Sequence, residues 1–149
     1  MIRFETNLSS KSLESLMNDL NIYGKKLQQA QEDVIQAFAE YVYDRIMLYA
    51  PYKTGQLMSS FVMETAYYYS FATARVYTDL FYAKYVEFGT GIKGTKSNYD
   101  SKRIGIESLT YSSDVQGQKA KKFVYKAVLD LERDYVEIAK NVLRKKGLI

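Results

Sequence analysis

The apolar residues of this chain change period once, and the change falls at its only proline, Pro51. Before it they recur at helical spacing. Leu13, Leu16, Met17 and Leu20 share one helix face behind a candidate N-cap at Ser9 or Ser10. Asn18 to Gly24 carry enough weak helix formers to end or bend that helix. A longer one is then expected from about Lys25 to Tyr49, with Leu27, Ala30, Val34, Ala37, Phe38, Tyr41 and Val42 as its stripe. Pro51 stops it, because the residue before a proline is pushed out of the helical region. Beyond Thr54 and Gly55 the pattern alternates. Phe61, Met63, Thr65 and Tyr67 fall on one face of a strand, with Val62, Glu64, Ala66 and Tyr68 on the other. Phe71 to Thr78 alternates in the same way, so the two read as a β-hairpin turning near Tyr69 and Ser70.

Leu80 to Phe88 is short and aromatic, and helical spacing puts Phe81, Tyr85 and Phe88 together. A glycine-rich basic loop follows over about 89–120, with a possible strand around Ile104 to Tyr111. A last helix begins near Lys121, where Val124, Val128, Leu131, Tyr135, Ile138 and Val142 step by fours and threes in a narrow seam. Arg144, Lys145 and Lys146 before Gly147 suit the C-terminus of that helix. Met1 to Thr6 alternates like a short strand. The expected class is α+β: a long helix, a small antiparallel hairpin, a short aromatic helix, a basic loop, and a C-terminal helix packed on one face of the sheet. At 149 residues the chain suits a single domain, 1–149. Two strands bury little alone, so their edges need helices or another copy of the chain to cover them.

Function is narrowed first by what is missing. Histidine, cysteine and tryptophan are absent, which removes imidazole acid–base chemistry, thiol nucleophiles, Cys/His metal sites and disulfides. An enzyme would rely on Ser, Lys, Tyr, Asp or Glu. Glu40 and Asp44 share a helix face, Ser59 and Ser60 lie near Lys53, and Glu87 sits among aromatics; each reads more simply as structural. For Glu87 the expected company is Arg75, Lys84 or a neighbouring subunit. Gly89-Thr90-Gly91-Ile92-Lys93-Gly94 does not follow the Walker pattern and comes after a helix, so no nucleotide site follows. No cofactor is expected. With no run of eighteen apolar residues and no signal-like N-terminus, neither is a membrane. The excess is in tyrosine, 15 against 7 Phe, a residue suited to surfaces that meet other protein.

Charge is uneven. From Gly89 to Lys126 eight basic residues face three acidic ones, so this segment carries +5 and the rest −1, and it holds five of the eight glycines. Two readings stand for it: a loop kept solvated by its lysines, or a surface passing close to nucleic-acid phosphates.

Two stretches together resemble a known family. Ala50-Pro51-Tyr52-Lys53-Thr54-Gly55-Gln56-Leu57-Met58-Ser59-Ser60-Phe61 is similar to a P-x-x-T-G-x-L-x-x-S signature after a long helix. Tyr82-Ala83-Lys84-Tyr85-Val86-Glu87-Phe88-Gly89-Thr90 is similar to its companion, Y-A-x-Y-V-E-F-G-T, across a hairpin. The pair resembles the head–tail joining or tail-completion (neck) proteins of tailed bacteriophages, also called minor capsid or tail components. Gly117 to Ala127 is similar to the family segment leading into the last helix, except that Lys122-Phe123 stands where the family has Pro-Phe.

The resemblance implies a non-enzymatic virion protein, made in the host cytoplasm and placed at the neck. It would form a homo-oligomeric ring of six or twelve copies between portal-side connector proteins and tail tube or terminator proteins, with double-stranded DNA passing through without sequence recognition. Tyr82, Tyr85, Val86, Glu87 and Phe88 would lie between subunits, and Pro51, Thr54 and Gly55 would form the turn motif. Lys93, Lys96, Lys102, Arg103, Lys119, Lys121 and Lys122 would face the DNA channel or the adjacent ring. The alternative reading is a free-standing, sequence-independent nucleic-acid-binding module using the basic 89–126 segment.

Overall fold

A computed structural model of the chain describes residues 10–53, 55–91 and 116–149. The strands expected at Met1 to Thr6 and Ile104 to Tyr111 lie outside the described residues, as do Ser9, Thr54, Lys93, Lys96, Lys102 and Arg103. The elements are α1 (Ser10–Tyr49), α2 (Gln56–Ser59), β1 (Val62–Tyr67), β2 (Ala72–Tyr77), α3 (Ala83–Phe88) and α4 (Phe123–Lys145). The class is α+β, as the change of period at Pro51 foretold.

α1 differs from the expectation of two helices. It runs unbroken for 40 residues, about 60 Å at 1.5 Å per residue. Asn18, Asn21 and Gly24 weaken a helix by up to about 1 kcal/mol each relative to alanine, but none removes a backbone donor as proline does. A Cβ built on Gly24 would meet nothing within 4 Å, so no packing reason enforces the glycine. α1 ends at Tyr49, and Pro51 follows the buried Ala50.

β1 and β2 form the antiparallel hairpin with Met63 opposite Val76 and Thr65 opposite Ala74. The turn spans 68–71, closed by the Tyr68 N–H donating to the Phe71 carbonyl at 2.8 Å. The face carrying Ala74 and Val76 turns toward Ile35, Phe38, Val42 and Ile46 of α1. Tyr67 at the end of β1 also donates its hydroxyl to Gln36 Oε1. α4 packs on the same side, its Val124, Val128 and Leu131 reaching the groove that Ala74 and Val76 line.

α4 runs antiparallel to α1. Asp130 meets Tyr49, Asp134 meets Tyr41, Tyr135 sets its ring edge-on to Phe38, and Lys146 Nζ reaches Asp33 Oδ2 at 2.6 Å. The helix closes on Gly147 in the left-handed region, with Leu148 N–H bonded to the Leu143 carbonyl. Within the central cluster the deepest burial lies at Ile46, Phe123 and Ala127, with Ala50, Leu57, Phe61 and Ala83 completing it. The 4–3 seam of α4 sits one step to the side of that centre. Leu27, expected in the α1 stripe, is 47% exposed.

Candidate assembly site

The two family-like segments meet at the N-terminus of α4. Gly55 takes φ 76°, a left-handed conformation that L side chains rarely adopt, and lets the chain after Pro51 fold back into α2. α2 was not foreseen; it buries Leu57 and delivers Phe61 edge-on to Phe123, 6.0 Å between centroids. Ser60 Oγ lies 2.7 Å from Thr78 Oγ1, which accepts the Leu80 N–H at 3.1 Å. The hydroxyl of Ser60 also donates to the Leu57 carbonyl. Ser60 is therefore a fastener between the first segment and the approach to α3. Tyr82 adds a longer contact, its hydroxyl 3.4 Å from Gln56 Oε1.

On α3 the four-residue spacing of Ala83 and Glu87 turns both inward with Phe88. Tyr82, Tyr85 and Val86 are half-buried, and Phe81 just before the helix is 77% exposed. Lys84 lies over the Tyr85 ring at 5.2 Å. Of the five residues expected between subunits, Glu87 and Phe88 are thus 1% exposed within this chain, and Tyr82, Tyr85 and Val86 retain surface. Beside them opens an apolar cleft of about 510 Å³, lined by Phe61, Val76, Leu80, Phe81, Ala83 and Phe123 among others.

Glu87 does not take Arg75 or Lys84 as its partner. Val124 N–H donates to Oε2 and Tyr125 N–H to Oε1, both at 2.9 Å. Lys122, the N-cap position, has no capping side chain and stands at φ 53°, so a carboxylate from α3 does the work that a serine or aspartate usually does at that position. Burial pushes the Glu87 carboxyl above its ordinary pKa, while the backbone donors of Val124, Tyr125 and Phe123 and the charge of Lys126 pull the other way. The Lys122-Phe123 departure fits this geometry. A proline could not adopt φ 53°, so a Pro-Phe chain would approach α4 differently.

The same joint fixes the neck of the basic segment. Lys121 and Lys122 N–H groups donate to the Val86 and Glu87 carbonyls, Thr90 N–H to the Gln118 carbonyl, and Gly89 bridges Lys119. Gly117, at φ 64°, passes so close that a Cβ there would lie 1.8 Å from the Thr90 carbonyl oxygen. Lys119 and Lys121 are exposed at this neck and Lys122 is half-buried.

The candidates for acid–base chemistry are placed simply. Glu40 is exposed and accepts from Gln36, Asp44 is exposed, and Ser59 caps back onto Gln56. Among the described residues no group of acids could hold a metal ion, and no helix is long and apolar enough to cross a membrane.

One polar constellation escaped the sequence reading. Tyr41 and Tyr49 of α1 donate to Asp134 and Asp130 of α4, and Arg45 lies between them, 3.6 Å from Asp130 and over the Tyr41 ring. Arg133 grips Asp134 with two bonds of 2.8 Å. The Arg133 guanidinium, with help from Tyr41, holds the Asp134 carboxyl well below the usual carboxylate range. The signal was available as Tyr41, Arg45 and Tyr49 at four-residue steps facing Asp130 and Asp134 at the same step.

With this geometry in place, comparison with known proteins gives a family match. The family model described as "Bacteriophage HK97-gp10, putative tail-component" matches residues 14–89. The match runs from the first helix through the first motif segment and all but the last residue of the second. No curated protein and no solved structure matches the chain.

Proposed function

This chain belongs to the HK97-gp10-like family of bacteriophage tail components, and we propose that it is a non-enzymatic structural subunit of the virion neck. In this reading copies close into a ring at the head–tail junction, between connector and tail-tube proteins, and the genome passes through the middle. The family match over residues 14–89 carries the reading. The surface is consistent with it. Among the described residues the sheet has two strands, so each keeps an outer edge on which a neighbour can pair. The hairpin tip presents Tyr67, Tyr68, Tyr69 and Phe71, all between 45% and 95% exposed, with Tyr68 and Phe71 stacked at 4.5 Å. Large aromatics with a polar tip are the residues that anchor protein contacts.

Within the ring we assign Tyr82, Tyr85 and Val86 to the subunit contact, beside the cleft that Phe81 borders. Glu87 and Phe88 hold that surface in place from below. Lys119, Lys121 and Lys122, with Lys93, Lys96, Lys102 and Arg103 in the segment between the necks, meet DNA or the adjacent ring through charge alone.

The test is incorporation. Tyr85→Asp should leave the far-ultraviolet circular dichroism and melting of the purified chain unchanged, yet remove the chain from particles sedimented out of an infected or induced culture. Wild-type chain recovered only outside the particles overturns the virion reading. Tight, salt-sensitive binding of free DNA by the isolated chain, with no particle association, would instead favour the nucleic-acid module.

A further inference from the structure

From Lys11 to Leu27 every side chain described by the structure is exposed, although this half of α1 is strongly apolar along one face. Leu13, Leu16, Leu20, Tyr23 and Leu27 are between 42% and 61% exposed. α4 ends at Lys145, where Lys146 pairs with Asp33, and the exposed stretch of α1 before that pair, Lys11 to Leu27, spans roughly 25 Å without a helical partner. A helix of this length is marginal in water by itself, and Asn18, Asn21 and Gly24 weaken it further. The apolar residues continue in threes and fours into the part of α1 that α4 covers. The exposed half therefore carries the same kind of face, without its second helix.

The flanking residues say which helix fits. With Leu13, Leu20 and Leu27 at a positions and Leu16 and Tyr23 at d, the g positions are Asp19 and Lys26 and the e positions are Met17 and Gly24. Place a second copy antiparallel, so that Leu20 packs on its Tyr23 and Leu16 on its Leu27. Each Asp19 then faces Lys26 of the other copy, and each Met17 lies over the other copy's Gly24, where a side chain would meet nothing within 4 Å. A parallel, in-register pair puts Asp19 beside Gly24 and Lys26 beside Gln31, with no opposite charges matched. We infer that the exposed half of α1 is a self-association surface on which two copies pair antiparallel about a two-fold axis. The inference stands apart from the ring contact, which it places at the other end of the molecule.

Sedimentation equilibrium on the purified full chain tests it. A dimer is expected, and Leu16→Asp with Leu20→Asp should give a monomer that stays folded by circular dichroism, since both side chains are exposed in the single chain, and whose melt, unlike that of wild type, does not depend on protein concentration. Asp19→Lys and Lys26→Asp should each weaken the dimer about tenfold, from two matched charge pairs turned repulsive, and the two together should restore it. The chain has no cysteine, so an equimolar mixture of Asp19→Cys and Lys26→Cys chains should form a mixed disulfide more readily than either variant alone. A chain that stays monomeric at tens of micromolar overturns the inference. So does a dimer or larger assembly indifferent to the two leucine changes, a charge swap as weak as its single variants, or cross-linking of each cysteine variant mainly to itself.

Discussion

Replacing Glu87 by alanine tests whether the joint between α3 and α4 works as described. The change removes both acceptors from the Val124 and Tyr125 N–H groups, each 2.9 Å from a carboxylate oxygen, in a side chain 1% exposed. Loss of a helix cap costs about 1 kcal/mol, and a buried donor left without a partner costs about 1–3 kcal/mol. Relief from burying the carboxylate, the effect that raises its pKa, offsets part of this. The net loss should be about 2–3 kcal/mol, or roughly 6–9 °C in melting temperature for a chain of this size. Glu87→Gln, which keeps one acceptor, should fall between wild type and alanine.

Urea unfolding followed by circular dichroism measures these differences, and its pH dependence gives a sharper check. The folded carboxyl titrates above the unfolded one, so between the two values the folded chain holds the extra proton. Wild type therefore gains stability as pH falls through that window and loses it as pH rises, while the alanine variant has no such gain. The gap between them should widen as pH falls from above the raised folded value toward the ordinary carboxylate range. An alanine variant within about 0.5 kcal/mol of wild type, the scatter of ordinary surface changes, refutes the capping role. A gap that narrows on acidification refutes the account of its pKa.

Further outcomes follow from other parts of the structure. Gly117→Ala should open the neck locally, speeding hydrogen exchange at Thr90 and Gln118 and proteolysis between 91 and 116, because its Cβ would overlap the Thr90 carbonyl. Unchanged exchange there would show that the two backbone stretches part without cost. Asp134→Asn should be less stable than wild type at neutral pH and converge with it in acid. A depressed carboxyl contributes stability above its unfolded pKa that is lost as pH falls through its folded value. Parallel urea midpoints across that range would contradict it. Ile46→Ala, at a site 1% exposed in the central cluster, should cost about 2–5 kcal/mol by chemical denaturation. A smaller loss would mean that α1, α4 and the hairpin do not share one core.

The helices and hairpin were legible because periodicity reports which face is buried. Val62–Tyr67 and Ala72–Tyr77 fall inside the alternating runs, with the turn where the alternation pauses. The unbroken course of α1 was not legible, since Asn18 and Gly24 look like stops in a list of propensities yet cost too little to halt a helix continued on both sides. The partner of Glu87 was also hidden. Sequence shows a carboxylate among aromatics and suggests a cation, whereas the donors are backbone groups 37 and 38 residues away, exposed because α4 begins without a cap. The convergence of the two motif segments on Phe123 needed the fold, although each segment was visible by itself. The Tyr41–Asp134 pair was hidden because Tyr41 falls in the apolar stripe of α1, while its polar tip crosses to the other helix.

The fold also explains how one small subunit can serve two contacts without their interfering. The α3–α4 joint sits by the C-terminal end of α1, and the exposed leucine stripe lies near the other end, about 45 Å away along a continuous helix. Sites that far apart, sharing no side chain, should be separable by mutation. Leu16→Asp with Leu20→Asp should abolish pairing of purified chains while leaving Glu87, its backbone donors and the neck of the basic segment as stable as in wild type. Glu87→Ala should do the reverse, loosening the joint while the self-association constant holds. If either change moved both properties, the rigid-rod account of α1 would fail, because the two ends could then communicate only by bending or fraying the helix between them.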